Sequence, residues 1–352
     1  RMIEGGLVLS HERIPARGLP IAPLRSQGAI CVHGVHNLPA YVEVQIPASG
    51  LSGRSKKWEK TAGQLVVEAA ASDASLVLLG DSITEAWRGT GFGNKKEAFK
   101  EGPAALLREF SEYRPLALGI AGDQTSQVLW RLEHGGFPSA ALPTYVAVLI
   151  GTNDIGAAVR NIGGGWSDGA CVSDANVEQA IGSVPATVAG IIAIIASIRR
   201  MAPEAGVVVL GLPPRGERHG KGWSMKYSHL QPSVYTAAID EVNRRVEEFV
   251  VGLSGDATIT AAGGDARDER TRLHVAAGVG SGTVAFAPCT SQWLEPDGVG
   301  HVRLDKTLMS DALHPTEKGL AVLAGCIKEG IAKVQVQQQA ATREDRKPTA
   351  VA

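Results

Sequence analysis

Five short apolar runs recur along the chain, and a segment with helical periodicity follows most of them. Each run holds four to six residues and is followed within two residues by glycine or proline. Runs of this length that end in turn-forming residues are typical of strands buried in a parallel sheet. The runs are Leu76–Leu79, Pro115–Ile120, Tyr145–Ile150, Val207–Leu212 and Thr283–Ala287.

The longest helical pattern spans residues 177–201, between the third and fourth runs. Its apolar residues recur at helical intervals and therefore form one stripe that faces a core. Pro185 either kinks this helix or marks its true start. Strand and helix alternate about five times along the chain, which predicts a doubly wound parallel sheet of the α/β class. The stripe consists of Val184, Val188, Ile191, Ile192, Ile195 and Ile198.

Composition divides the chain into three parts. Residues 1–55 contain several prolines and glycines and one alternating run at 40–46, which predicts a poorly defined N-terminal extension with one edge strand. Residues 56–335 are predicted to form the α/β domain, and the Gln-rich, charged tail at 336–352 is predicted to be disordered. Three stretches resemble surface insertions, namely 88–103, 160–175 and 252–281.

The overall composition excludes several classes of partner. Hydrophobic residues make up 44% of the 352 residues and charged residues 20%, as in ordinary soluble proteins. Because 35 Lys and Arg nearly balance 36 Asp and Glu, we expect no nucleic-acid partner. The longest apolar run, Val188–Ile198, is too short to span a bilayer, so no integral membrane segment is predicted. The compartment stays open between cytoplasm and secretion, and a removed signal peptide is compatible with the sequence.

The cysteines and histidines do not predict a metal centre. The cysteines lie far apart without a Cys-x-x-Cys pair, which excludes a zinc ribbon or a thioredoxin-type motif and leaves the redox compartment open. Near the N-terminus, Cys31, His33 and His36 could supply three ligands, but a fourth at suitable spacing is missing, so we predict no metal there. The four cysteines are Cys31, Cys171, Cys289 and Cys326.

Small and polar residues follow the first three predicted strands. The motifs are Gly80-Asp81-Ser82, Gly122-Asp123 and Gly151-Thr-Asn153. Because parallel strands end at one edge of a sheet, these motifs should converge there. Taken singly, each also has an ordinary explanation, since Asp and Ser cap helices and Gly and Asn form turns.

A fourth motif supplies a base. Asp311 lies three residues before His314, just ahead of the last helical segment. At this spacing the carboxylate can accept a hydrogen bond from the imidazole Nδ1–H, which leaves Nε2 to act as a base. We therefore predict Ser82 as a nucleophile, His314 as its general acid and base, and Asp311 as the residue that orients the imidazole.

An acyl-transfer site also needs donors for the oxyanion that develops on the substrate. The chain offers the backbone N–H groups of Ser82 and Gly122 and the side-chain amide of Asn153. Glycine at position 122 has no Cβ that would block the approach of a substrate to its N–H. Asp81 and Asp123 are interpreted as residues that tie down their turns.

Arg131 and Arg215 have two interpretations. Either guanidinium could bind an anionic group of a substrate. A structural ion pair is the favoured interpretation, because arginine commonly serves that purpose inside proteins.

These motifs, in this order, resemble the four blocks of the SGNH (GDSL) hydrolase superfamily, and within it the catalytic subunits of platelet-activating-factor acetylhydrolase. The similarity covers about residues 56–335 and excludes the extension, the tail and the three insertions. The stretches that resemble those subunits are Gly119–Thr125, Val128–Leu132, Val148–Asp154, Leu210–Gly216 and Leu313–Pro315.

The resemblance implies a flavodoxin-like, three-layer α/β/α sandwich with a five-stranded parallel sheet. It also implies ester hydrolysis without a cofactor, through Ser82, His314 and Asp311, with Ser82, Gly122 and Asn153 at the oxyanion. The loops that line the pocket in this family differ here, so specificity for the acetyl ester of platelet-activating factor is not implied.

The leading hypothesis is a serine esterase that hydrolyses small acyl esters, acetyl or short-chain, of lipids, sugars or simple alcohols. The alternatives are an O-acyltransferase with the same triad, and a lysophospholipase or thioesterase of the same superfamily. A non-enzymatic binding module is disfavoured because every required catalytic residue type is present. The sequence does not give the oligomeric state, and a homodimer stays a hypothesis.

Overall fold

The computed structural model describes residues 7–10, 41–44, 55–159, 174–219, 225–254, 283–298 and 300–345. The N-terminal ligands considered above, Cys31, His33 and His36, lie outside these ranges, as does Cys171. Most of the predicted insertions at 160–175 and 252–281 also lie outside them.

The described strands, in chain order, are β1 (Leu7–Ser10), β2 (Tyr41–Val44), β3 (Leu76–Gly80), β4 (Thr90–Gly91), β5 (Asn94–Lys95), β6 (Pro115–Gly119), β7 (Tyr145–Leu149), β8 (Gly206–Leu210), β9 (Glu217–His219), β10 (Lys226–Ser228), β11 (Leu230–Gln231), β12 (Val284–Ala287), β13 (Leu294–Pro296) and β14 (Val302–Leu304). The described helices are α1 (Lys56–Ala70), α2 (Ser82–Glu85), α3 (Gly102–Phe110), α4 (Thr125–Glu133), α5 (Thr152–Ala158), α6 (Asp174–Gly182), α7 (Val184–Met201), α8 (Thr236–Ser254) and α9 (Glu317–Asp345).

The main sheet contains five parallel strands in the order β12-β8-β7-β3-β6. Each corresponds to one of the five apolar runs, because a strand covered on both faces must be apolar along its whole length. Numbered along the chain, the strands lie 2-1-3-4-5 across the sheet, which is the flavodoxin-like order. Helices α3 and α9 pack together, and α7 packs with α4 and α8, so the predicted α/β sandwich is confirmed.

The chain reverses its direction across the sheet between β3 and β7, which are hydrogen-bonded neighbours. In open α/β sheets, ligands bind outside the carboxyl ends of the strands at such a reversal. Gly80 closes β3 there because nothing larger fits. A Cβ at this position would lie 2.2 Å from Thr84 Oγ1 and 2.3 Å from the Leu149 carbonyl oxygen.

The predicted helix at 177–201 is two helices, α6 and α7, and Pro185 lies in the first turn of α7. Proline is tolerated there because the first N–H groups of a helix have no partner within it. Within the described ranges, one helical span, 175–201, is long and apolar enough to cross a membrane by length and composition. Its most apolar window is 61% buried inside the fold, as expected for a core helix of a globular domain.

The C-terminal helix differs from the prediction. A disordered tail was predicted from residue 336, whereas α9 continues to Asp345. A disulfide joins Cys326 of this helix to Cys289, just after β12, with the two Cα atoms 5.8 Å apart. This bond ties the last helix to the edge strand of the main sheet.

Two small antiparallel sheets follow β8, and the apolar runs did not predict them. Strands β9 and β10 form a hairpin, and β11, β14 and β13 form a three-stranded sheet. Their strands are two or three residues long and partly exposed, so they carry no continuous apolar run. In the N-terminal part, β2 coincides with the predicted edge strand and pairs antiparallel with β1.

Candidate active site

Ser82 is the first residue of α2, directly after β3 and at the edge of the sheet where the strand order reverses. Asp81 caps this short helix, since its carboxylate accepts the Ile83 N–H at 2.9 Å. The Ser82 side chain is nearly buried, and its hydroxyl lies 3.0 Å from His314 Nε2. The turn therefore presents the serine to a histidine that follows 232 residues later.

The loop before α9 brings Asp311 and His314 together as the spacing predicted. His314 Nδ1 lies 2.8 Å from Asp311 Oδ2, and Oδ1 of the same carboxylate accepts the backbone N–H groups of Leu313 at 3.1 Å and His314 at 2.7 Å. Because Nδ1 faces a carboxylate, it carries the proton, and Nε2 is left to accept the Ser82 O–H. The three side chains form one hydrogen-bonded row.

Asn153 lies in the first turn of α5, after β7. Its Nδ2 donates to the Asp123 carbonyl at 2.9 Å and to Asp81 Oδ2 at 3.3 Å. These two bonds join Asn153 to the residue before Ser82 and to the residue after Gly122. Gly122 has φ +77°, in the left-handed region that favours glycine. The structure thus brings the three predicted strand-end motifs to one place.

Arg131 and Asp123 form a buried ion pair beneath this edge, with 2.9 Å between Arg131 Nε and Asp123 Oδ2. The guanidinium also donates to the carbonyls of Leu118 and Gly80, both at 3.1 Å. Trp58 Nε1 donates to the other oxygen of Asp123 at 2.5 Å. Arg131 therefore holds the ends of β6 and β3 together, and the structural interpretation of this arginine is confirmed.

Arg215 is half-buried, and its described contacts are hydrogen bonds to Thr152 and a ring contact instead of the predicted ion pair. Its guanidinium donates to the Thr152 carbonyl at 2.7 Å and lies 4.4 Å from the centre of the Tyr235 ring. A Cβ on Gly156 would lie 2.3 Å from this guanidinium, so the glycine lets the arginine pack on α5. Within the described part of the chain, no three His, Cys, Asp or Glu side chains are grouped so that they could hold a metal ion.

The model of the GDSL-like lipase/acylhydrolase family matches residues 78–322, more than half of the chain. The chain belongs to this family. The match confirms the family that the four motifs predicted. The family's description, lipase or acylhydrolase, is that of the predicted class of enzyme, a hydrolase acting on ester bonds.

The proteins that the chain resembles include two acetylhydrolase subunits and a solved GDSL-like lipase. The chain is 28% identical over 195 residues to platelet-activating factor acetylhydrolase IB subunit alpha1 of Bos taurus, an alignment that covers 55% of this chain and 60% of the relative. It is 33% identical over 109 residues to subunit alpha2 of Gallus gallus, covering 31% and 36%. Among solved structures, a GDSL-like lipase of Bacteroides thetaiotaomicron is similar with a TM-score of 0.45 and 15% identity, covering 78% of this chain and 97% of that one. The alignment with the Bos taurus subunit spans less than two thirds of that subunit's length.

One residue at this candidate site was missed by sequence reasoning. Arg218, in β9, binds the same Asp311 oxygen as His314, and its guanidinium lies 5.5 Å from the ring of Tyr227 on the paired strand β10. Its signal in the sequence is only a charged residue a few positions after β8. Its partner on a distant loop becomes apparent only in the folded chain.

Two aspartates of the candidate site, Asp311 and Asp81, have opposite pKa shifts. Burial alone would raise the pKa of Asp311, but the hydrogen bond from His314 and the charges of His314 and Arg218 outweigh it and hold that pKa well below its usual range. Complete burial raises the pKa of Asp81 to about 7, and the nearby Asp123 and Asp154 add to the rise. Asp311 is therefore the ionised partner of the histidine.

The stretch at 88–103, predicted as an insertion, reaches the site. Phe99 packs edge-on against His314, with 5.6 Å between the ring centres. An aromatic ring packed against the imidazole limits its rotation. This stretch therefore contributes to the surroundings of His314.

Proposed function

We propose that the protein is a serine esterase that hydrolyses small acyl esters through Ser82, His314 and Asp311. The observation that supports this most directly is the row of hydrogen bonds from the Ser82 hydroxyl through His314 to Asp311, at 3.0 Å and 2.8 Å. An ordinary loop histidine has no reason to bridge a strand-end serine and a carboxylate held in place by two backbone N–H groups.

The geometry supports a two-step reaction. Ser82 Oγ attacks the acyl carbon while its proton moves to His314 Nε2, and collapse of the tetrahedral intermediate expels the alcohol, which takes that proton. Water then gives a proton to His314 and attacks the acyl-enzyme, and the acid leaves as Ser82 regains its proton. Asp311 stays ionised throughout and stabilises the imidazolium, as its low pKa favours.

The oxyanion is assigned to the N–H groups of Ser82 and Gly122 and to the Asn153 amide. Both amide hydrogens of Asn153 have partners, and the bond to Asp81 is the longer at 3.3 Å against 2.9 Å. The hydrogen that makes this longer and weaker bond is the one we assign to the oxyanion. A short acyl group such as acetyl is suggested by the acetylhydrolase names of the relatives.

The test is hydrolysis of p-nitrophenyl acetate, butyrate and octanoate by the wild type and by Ser82→Ala. We expect turnover that falls steeply with chain length, and a loss of about a thousandfold or more in the variant. Ser197→Ala, which changes a similarly buried serine in α7, is the matched control and should keep the wild-type rate.

Three results would refute parts of the proposal. A wild type inactive on all three esters, or an active Ser82→Ala, excludes the serine mechanism. Octanoate turned over faster than acetate indicates a lysophospholipase or thioesterase instead of a short-chain esterase. Transfer of the acetyl group to an added sugar, in preference to water, indicates an acyltransferase.

A further inference from the structure

Glu85 is a buried carboxylate that the mechanism above does not use. It is the last residue of α2, the one-turn helix that begins at Ser82, and its side chain is inaccessible to solvent. Burying an ionised carboxylate is costly unless hydrogen bonds replace its water. The partners of Glu85 therefore show which parts of the fold it holds together.

Three of its four hydrogen bonds come from the loop that follows α2. Oε1 accepts the Thr90 hydroxyl at 2.8 Å and the Gly93 N–H at 2.7 Å, and Oε2 accepts the Phe92 N–H at 2.9 Å. Phe92 and Gly93 have φ of 51° and 71°, both left-handed. Successive N–H groups in such a turn form a concavity that binds an anion, and here the anion is the Glu85 carboxylate.

The fourth hydrogen bond reaches the turn of the proposed oxyanion donor. Oε2 also accepts the N–H of Ala121 at 2.7 Å, and Ala121 immediately precedes Gly122. The backbone of Gly119 also lies close to the backbone of Glu85, because a Cβ on Gly119 would lie 2.4 Å from the Glu85 N. The helix of the nucleophile and the turn of Gly122 are thus joined through one carboxylate.

We propose that Glu85 is a positioning residue, which fixes the Gly122 N–H relative to Ser82 Oγ. The inference rests on the proposed function. Glu85 is inaccessible to a substrate, so it acts only through the Ala121–Gly122 turn. Misplacing a catalytic group by about 1 Å costs roughly a hundredfold in rate. The loss of one buried hydrogen bond at this turn should therefore lower the rate strongly.

The experiment compares Glu85→Ala and Glu85→Gln with a matched control, Glu68→Gln. Glu68 lies in α1 and also anchors the segment after α2, because its carboxylate forms an ion pair with Arg88 at 2.8 Å. Unlike Glu85, it is partly exposed. Each protein is measured for kcat and KM on p-nitrophenyl acetate, for its urea midpoint, and for inhibition by a trifluoromethyl ketone. That ketone forms a bond with Ser82 Oγ, passes the serine proton to His314 and places an oxyanion at the donors.

We expect Glu85→Ala to lower kcat about a hundredfold with KM within about threefold, and to weaken ketone inhibition by a similar factor. Glu85→Gln keeps one acceptor oxygen and should fall between, about tenfold below the wild type. Glu68→Gln should lower the urea midpoint and leave kcat and inhibition unchanged.

A folded Glu85→Ala with wild-type kcat, or a loss confined to KM, overturns the inference. If Glu85→Ala does not fold, Glu85→Gln decides, and a wild-type kcat there overturns it equally. The two proposals fail separately. A wild type without esterase activity refutes the proposed function, whereas an active wild type, an inactive Ser82→Ala and fully active Glu85 variants refute only the role of Glu85.

Discussion

The Ser82 side and the His314 side of the proposed active site are built differently. Around Ser82 the side chains of Asp81, Asp123 and Arg131 are almost completely buried, and Arg131 donates to carbonyls at the ends of β3 and β6. Around His314, the side chains of Asp311 and Arg218 keep 26% and 29% of their exposure, and they lie on a loop and on a separate hairpin.

This difference separates two requirements of the proposed chemistry. Donors for an oxyanion must be fixed in advance, which a buried network achieves at the cost of desolvating charges. A base must exchange its proton with alcohol and water in every cycle, and partial exposure permits that. The two sides should therefore respond differently to mutation and to pH.

The largest expected effect comes from breaking the buried side. Arg131→Met leaves Asp123 as a buried charge without its ion pair, and we expect a loss of about 3–5 kcal/mol of unfolding free energy. Urea denaturation monitored by tryptophan fluorescence measures it. The control is Arg114→Met, which removes the exposed ion pair with Asp73 and should cost less than about 1 kcal/mol. Equal losses in the two variants would contradict the contrast between buried and exposed charge.

The next effect is a pH dependence that originates at Asp81. In the folded state the pKa of Asp81 is raised to about 7. Between the unfolded pKa and about pH 7, the folded protein therefore keeps a proton on Asp81 that the unfolded chain has lost. The contribution of Asp81 to the unfolding free energy is therefore largest below its unfolded pKa. This contribution falls by up to about 4 kcal/mol as pH rises to about 7.

Asp81→Asn cannot ionise and keeps an oxygen to cap α2. Relative to the wild type, its unfolding free energy should therefore rise steadily between about pH 4 and pH 8. Urea midpoints at several pH values test this. Parallel profiles of the two proteins would show that Asp81 is already ionised in the folded state at low pH.

The smallest expected effect concerns Asp311, whose contribution to stability changes with pH in the opposite direction to that of Asp81. The low folded pKa of Asp311 stabilises the fold above the unfolded pKa, and this contribution is lost as pH falls through the folded pKa. Arg218→Gln removes part of it, so we expect a loss of about 0.5–1 kcal/mol at pH 7, after allowing for solvent screening of a partly exposed pair. The loss should shrink towards pH 2. A loss that is equal at both pH values would assign the role of Arg218 to its packing on Tyr227.

The sequence predicts the main sheet and the residues at its edge because both follow from local patterns. A strand buried on two faces must be apolar throughout, and the turns after β3, β6 and β7 must be small. Asp311 and His314 are close in sequence, so their contact was predictable as well. The structural ion pair of Arg131 was predicted for a general reason, the tendency of arginine to form ion pairs.

Glu85 and Arg218 were not predictable, because their roles depend on contacts between distant segments. Nothing adjacent to Glu85 in the sequence indicates that the Ala121 N–H reaches it, although a charged residue between Ile83 and Ala86, both buried, is a weak signal. The length of α9 was underestimated for a similar reason. A Gln-rich segment favours disorder by composition, yet here it continues a helix that packs on β8 and β12.

The disulfide between Cys289 and Cys326 closes a covalent ring of the main chain. Asp311 and His314 both lie inside this ring. A single cut of the backbone anywhere between the two cysteines would therefore leave both resulting pieces attached to one another. Asp311 and His314 are thus tethered to the rest of the molecule by two covalent routes.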